Sequence, residues 1–271
     1  ALPSAFPTKY NFDTMSITGK TTLGKTMDNR WVSEKATASP NASFQANGGF
    51  TGKVFGKSIG GTFGINYTKT NNYFNNPNTL PIPDATTGKF TNEYNFTDNI
   101  YDQNTSAGAL GSLSIQFNPK HKISLRSLIN VNTLNRVLER SGVNITRTDS
   151  IISGSEFTFR QNTFFTGQVA GDHSLAKSLK LKWYGAFSIL DGYVPDQRRI
   201  LYSKASPSDP FRLVISNSLS QQSGSRVYQS LSDYIYTAGG DLGYSFGKGQ
   251  SVKAGYMFQV KDRLFDARLF S

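Results

Sequence analysis

The sequence predicts an all-β fold: an antiparallel transmembrane β-barrel built as a meander of hairpins. Three observations predict it. Apolar and polar residues alternate with a period of two along most of the chain, the connections between alternating stretches are by turns short and long, and aromatic residues are abundant on a polar background. Aromatics make up 13% of the 271 residues, with 20 Phe and 13 Tyr, yet the mean hydropathy is −0.40. A strand with one face against lipid and the other against water gives this mixture, because every second side chain is free to be polar. A soluble sheet can also be rich in aromatics, so the pattern along the chain has to decide.

A weak first strand is expected over 12–22, and regular alternation begins at about 41–54. There Phe44, Phe50 and Val54 share one side while Gln45, Asn47 and Lys53 share the other. Over 58–72, Ile59, Phe63, Ile65 and Tyr67 oppose Ser58, Thr62 and Asn66. Over 94–117, Ala107, Ala109, Leu113 and Ile115 oppose Ser112, Ser114 and Gln116, and over 122–139 Ile123, Leu125, Ile129 and Val131 oppose Lys122, Ser124 and Arg126. A strand is also expected over 150–172, although 156–170 alternates poorly, since Gln161 and Thr163 interrupt the side that holds Phe157, Phe159 and Phe165. Alternation returns over 179–200, 226–246 and 251–270, through Trp183 and Phe187, Tyr236 and Tyr244, and Tyr256 and Phe258. This makes about nine strands, with Gln, Asn, Lys and Arg placed in mid-strand where a barrel presents its lumen.

Short turns are expected at 55–57, 118–121, 173–177 and 247–250, and long polar connections at 73–93, 139–150 and 201–225. The long ones hold Pro77, Pro81, Pro83, Pro207 and Pro210 among many Asn, Ser and Thr, which is loop chemistry. Outer-membrane barrels alternate in this way because their periplasmic turns are short and their extracellular loops long. Phe55, Phe117, Tyr244 and Phe246 flank short turns and are the expected membrane-interface aromatics. Tyr73, Phe74, Tyr202, Phe211 and Arg212 fall in the long connections and are the candidate ligand-binding residues. A first strand leaving the periplasm and a ninth ending outside the cell describe an incomplete barrel, because closed bacterial barrels have an even strand number. Residues 1–40 are then the junction and first strand, and 41–271 the barrel hairpins.

No apolar run reaches about 18 residues, the minimum for a helical span. The net charge is +11, but its Lys and Arg are spread along the chain instead of clustering as a phosphate footprint does, so no nucleic-acid partner is expected. There is no cysteine, hence no disulfide framework or thiolate metal site. Gly19-Lys20-Thr21 and Gly56-Lys57-Ser58 lack the upstream glycine of a phosphate loop, since Thr14 and Thr51 stand there. The only histidines, His121 and His173, sit at predicted short turns, and a metal pair would require neighbouring hairpins to bring them together. No metal, cofactor or catalytic residue is expected, and the chain does not read as an enzyme. Asp262, Arg263, Asp266 and Arg268 read either as an ion-pair network at the lumen rim or as solvated charges.

Several segments resemble the early barrel region of TonB-dependent outer-membrane receptors of the Bacteroidota type. They are Lys57-Ser58-Ile59-Gly60-Gly61, Asn118-Pro119-Lys120-His121-Lys122-Ile123-Ser124, Arg140-Ser141-Gly142 and Gln168-Val169-Ala170-Gly171-Asp172-His173. Val194-Pro195-Asp196-Gln197-Arg198-Arg199 and Lys261-Asp262-Arg263-Leu264-Phe265-Asp266-Ala267-Arg268 complete the set, which covers most of 40–271 in order. The resemblance implies a barrel of about 22 strands filled by an N-terminal plug. It also implies uptake of a scarce nutrient across the outer membrane, energised by TonB through a plug not present in this chain. Outer-membrane lipid is then a partner, and a SusD-like surface lipoprotein can be another. The competing expectations are a complete small channel or adhesin barrel, and a soluble secreted β-rich binding module.

Overall fold

The computed structural model describes residues 2, 6–83, 85–147, 150–214, 223–247 and 249–270. Two short helices, α1 (Lys9–Asp13) and α2 (Ile17–Gly24), precede nine strands. These are β1 (Ala42–Val54), β2 (Lys57–Pro83), β3 (Phe90–Asn118), β4 (His121–Asn144), β5 (Ile151–Ser174), β6 (Leu179–Lys204), β7 (Arg212–Leu213), β8 (Ser225–Phe246) and β9 (Gln250–Phe270). All lie in one antiparallel sheet of order β1-β2-β3-β4-β5-β6-β8-β9, with β7 attached to β6. Consecutive strands therefore pair with each other, and β1 and β9 are the open edges.

The strand expected over 12–22 is helical instead. The Thr8 and Ser16 hydroxyls accept from the backbone N–H groups of Asn11 and Gly19, and such caps satisfy donors that a helix start leaves without partners. With that strand gone, β1 begins and β9 ends at the same end of the sheet, the end of the long connections.

The strands also run further than the sequence pattern suggested. The connections 73–93 and 139–150 shrink to 84–89 and 145–150, and 205–224 remains of 201–225, with 215–222 outside the described residues. The prolines explain the difference. Beyond Asn71, β2 pairs with β3 alone, because β1 starts at Ala42 opposite Lys69. The Asn71 N–H points to this unpaired side, where Asn41 Oδ1 accepts it at 2.7 Å. Pro77 has the same parity, so the N–H it lacks is one the ladder does not use. A residue that reads as a breaker is thus compatible with an edge.

The short connections match expectation. Phe55 (φ 48°) and Gly56 (φ 73°) form a two-residue hairpin turn with both central residues in the left-handed region, the twist that flanking strands require. The 156–170 stretch, poor in alternation, is ordinary strand with an irregularity in its pairing between Phe157 and Gln161.

Register sorts side chains onto two faces, since directly opposed residues share a side. One row reads Phe63, Gly111, Ser127, Gly167, Phe187, Tyr236 and Val260; the adjacent row on the other face reads Thr62, Ser112, Arg126, Gln168, Ala186, Thr237 and Gln259. The buried apolar side chains Phe96, Ile152, Val194, Ile200, Val214 and Tyr228 all lie in the half of the sheet toward the long connections. In the other half Phe44, Phe50, Phe63, Tyr236 and Phe258 are each more than half exposed.

Candidate functional site

The exposed apolar residues form a band with sharp limits. On one face, β2 is apolar from Ile59 to Tyr67 and polar from Lys69; β3 changes between Ala107 and Thr105, and β4 between Val131 and Thr133. The change comes between Phe165 and Thr163 on β5, Ile189 and Asp191 on β6, Tyr234 and Ser232 on β8, and Val260 and Asp262 on β9. Ile59 to Tyr67 is nine residues, within the roughly 9–11 that a tilted strand needs to cross a hydrocarbon layer.

Both limits of the band step together across the sheet. In the cross-strand row from Ile59 to Tyr256, the upper limit stands eight residues above Ile59 at Tyr67 but four above Tyr256 at Val260. The short-turn limit drops in parallel, from two residues below Ile59 at Lys57 to six below Tyr256 at Gln250. Four residues over six strand spacings is a slope of about 25°, taking roughly 3.3 Å per residue and 4.8 Å per strand. A band inclined to its strands in this way is the stagger that closing a sheet into a barrel demands.

The opposite face is mainly polar at the same depth, with a few apolar residues such as Leu110, Leu128 and Met257 among the polar ones. Lys122, Asp172, Lys182 and Asp241 stand directly opposite one another on β4, β5, β6 and β8, a row of alternating charge, with Lys182 Nζ 3.4 Å from Asp172. Lys53, Arg126, Lys180 and Lys253 share this face.

Beyond the band the same polar face is locked by ion pairs. Arg140 donates two hydrogen bonds of 2.7 Å to Asp98, and Arg136 donates bonds of 2.7 and 2.6 Å to Asp102. Glu156 accepts from Arg199 at 2.9 and 2.6 Å, from Gln197 at 2.6 Å and from Thr158 at 3.1 Å. Asp233, fully buried, holds Arg263 at 2.7 Å and Lys261 at 2.8 Å. Burial pushes the Asp98 and Glu156 carboxyls up, but the donors around them outweigh it: Arg140 and Asn78 at Asp98, and Arg199 foremost at Glu156. Both carboxyls are therefore held below their ordinary range. Leu138, Arg140, Glu156 and Arg199 line a cleft of about 300 Å³ between these pairs.

The band face at this level is crossed by residues 28–41. Arg226 stacks 5.7 Å from the Trp31 ring, Arg198 donates to the Arg30 carbonyl, Ser33 Oγ lies 2.5 Å from Glu139, and Asn71 donates to the Ser39 carbonyl at 2.7 Å. The segment thus passes from β8 and β6 over β4 to β2.

The predicted ligand residues do not converge. Tyr73 and Phe74 lie within β2 and, being adjacent, on opposite faces; the Tyr73 hydroxyl donates to Asn99 at 2.8 Å. Tyr202 is within β6, Phe211 precedes β7 and lies 4.7 Å from Lys204 Nζ, and Arg212 is in β7 opposite Ser203. The loop placement of Tyr73, Phe74 and Tyr202 is thus corrected to strand. Four strand spacings, about 19 Å, separate the two groups. The interface aromatics all lie at the short-turn end: Phe55 at a hairpin tip, Phe117 at the β3–β4 irregularity, and Tyr244 stacked on Phe246 at 6.2 Å. Arg263 belongs to the polar-face network, whereas Arg268, on the band face, reaches Asp266 at 3.5 Å and the Pro7 carbonyl at 2.6 Å. Neighbouring hairpins do bring His121 and His173 together, with their Nδ1 atoms 3.0 Å apart. Among the described residues no group of three or more His, Cys, Asp or Glu is placed to hold a metal. No protein-family model, curated protein or solved structure matches the chain.

Proposed function

We propose that this chain is a run of membrane-spanning hairpins of an outer-membrane β-barrel, with the banded face toward lipid and the charged face toward the lumen. The inclined apolar band carries the reading: it has the depth of a hydrocarbon layer, it recurs on every long strand, and it is backed by Lys, Arg, Asp and Gln. A soluble sheet gains nothing by exposing an apolar belt while burying charged side chains such as Asp98, Asp102 and Asp233. The short turns then face the periplasm and the long connections the cell exterior. The segment ahead of β1, expected over residues 1–40 to be the junction and first strand, enters β1 from the long-connection end and on this reading is extracellular.

At the next level we infer that the barrel is that of a TonB-dependent receptor taking up a scarce nutrient. The ordered set of segments from Lys57 to Arg268 supports this level, together with a lumen wall rich in ion pairs.

The absence of cysteine makes both levels testable. Single cysteines placed from 58 to 72 in the full-length protein, in outer-membrane vesicles, should react alternately with a water-soluble maleimide. Protection should fall on 59, 63, 65 and 67, and alternation should cease beyond Lys69. Equal labelling of both sets overturns the membrane reading. Binding of the periplasmic domain of TonB to the same vesicles tests the second level; alternation without binding leaves a barrel that is not such a receptor.

A further inference from the structure

The two histidines of the chain come from positions 121 and 173, yet they meet on the band face at the short-turn end, where β4 and β5 pair them directly. A third group completes the contact. Trp183 on β6 donates its indole N–H to His173 Nε2 at 3.0 Å, and the two rings are stacked at 6.3 Å. Gly171 makes room for this: a Cβ there would stand 2.3 Å from Trp183 Nε1 and 2.6 Å from His173 Nε2.

An indole N–H can only donate, so His173 Nε2 must be an acceptor. A neutral His173 then carries its proton on Nδ1 and gives it to His121 Nδ1, and His121 keeps its own proton on Nε2, pointing away. The chain of donors runs one way, Trp183 to His173 to His121, and has no spare acceptor. A proton added to His173 sets Nε2–H against the indole N–H. A proton added to His121 sets two Nδ1–H groups against each other. Either event breaks a hydrogen bond, and no tautomer repairs it.

The charged and titratable groups around the pair are few. By register, no carboxylate among the described residues shares this face at this level. Lys57 lies in the same row two strands away, Lys120 and Lys177 occupy the adjoining turns, and Tyr244 is the nearest titratable group on β8. Asp172, Lys122, Lys180 and Lys182 project from the opposite face.

We propose that Trp183, His173 and His121 form a proton-released latch that ties β4, β5 and β6 together beside their short turns, closed while both imidazoles are neutral. A metal bridging the two Nδ1 atoms is disfavoured, because His173 would then need its proton on Nε2, against Trp183.

The test is the protection of the Trp183 indole N–H against hydrogen exchange, relative to free indole, in the full-length protein folded in detergent. Its resonance is assigned by W183F. Protection is expected at pH 8 and at least a tenfold loss at pH 5, while backbone amides of β2 and β3 keep theirs. G171A should remove protection at both pH values with both histidines present, and H121L should preserve it at pH 8. Equal protection of the wild-type indole at pH 5 and pH 8 overturns the latch. So does stoichiometric binding of zinc at pH 7.5 that is lost in H121L, which would make the pair a metal site.

Discussion

The sheet has two halves that obey opposite rules. Toward the short turns, apolar side chains such as Phe63 and Phe258 are exposed, and polar ones occupy the opposite face. Toward the long connections, the buried side chains include Asp98, Asp102 and Arg226, each tied to an oppositely charged partner. In the first half strand pairing does most of the ordering, and the apolar side chains of the banded face stay exposed. In the second half the protein supplies its own surroundings, through cross-strand ion pairs on one face and the 28–41 segment on the other. The contrast teaches that one continuous set of strands carries two kinds of surface, exposed apolar and paired charged, which meet at Tyr67/Lys69 and its equivalents; on the proposed function these face two solvents.

The contrast should break first at the band. On the proposed function, replacing Phe63 by Arg should destabilise the folded protein by about 2–4 kcal/mol, the cost of a cation near the middle of a lipid-facing band, whereas Thr62→Arg one residue away should cost less than about 1 kcal/mol. Urea unfolding in lipid vesicles measures both, and equal costs would erase the distinction between faces. A smaller effect, about 2–3 kcal/mol, is expected for Arg140→Ala, which strands the buried Asp98 carboxylate. Asp98→Leu combined with Arg140→Met should recover most of that loss, because removing both charges together leaves neither unpaired. No recovery would mean that the pair does more than neutralise itself.

Acid separates the halves without mutation. Asp98 and Glu156 are held below the ordinary carboxylate range, so their contribution is fully present above about pH 5 and is lost as pH falls through their lowered values. Hydrogen exchange of β3–β6 amides near Asp98 and Glu156 should therefore rise below pH 4 before it rises in the band. Simultaneous opening would show that the halves do not act separately. Smallest of all, Trp31→Ala should loosen the 28–41 segment by about 1 kcal/mol through loss of its Arg226 contact. Limited proteolysis near Arg30 reads this, and an unchanged cleavage rate would remove Trp31 from the strap.

Much of the site was legible once the turn positions were known. Asp98 and Arg140 lie 20 and 19 residues from the ends of the 118–121 turn, and Asp102 and Arg136 lie 16 and 15, the odd residue being taken up by the irregularity between Gln116 and Asn118. Counting carboxylates and arginines from the turn therefore brings both pairs within one residue of each other. Glu156 and Arg199 were harder, because the irregular pairing after Phe157 shifts the count between the lower and upper parts of β5 and β6. The ligand candidates Tyr73 and Tyr202 were assigned to loops on composition, and composition does not show which side of a strand lacks a neighbour.

By itself the sequence determined the all-β class, the hairpin order, the short turns and the two-faced character of each strand. All of these rest on local chemistry: a period of two, and turn residues such as Gly56 at a positive φ. Only the tertiary structure decided where the exposed apolar band ends on neighbouring strands, how the band is inclined, and which charges meet. It also decided that Pro77 sits in the part of β2 that extends beyond β1, and that His173 meets both His121 and Trp183. Those outcomes depend on register between segments tens of residues apart, which a period of two leaves open and only the whole set of cross-strand pairs fixes.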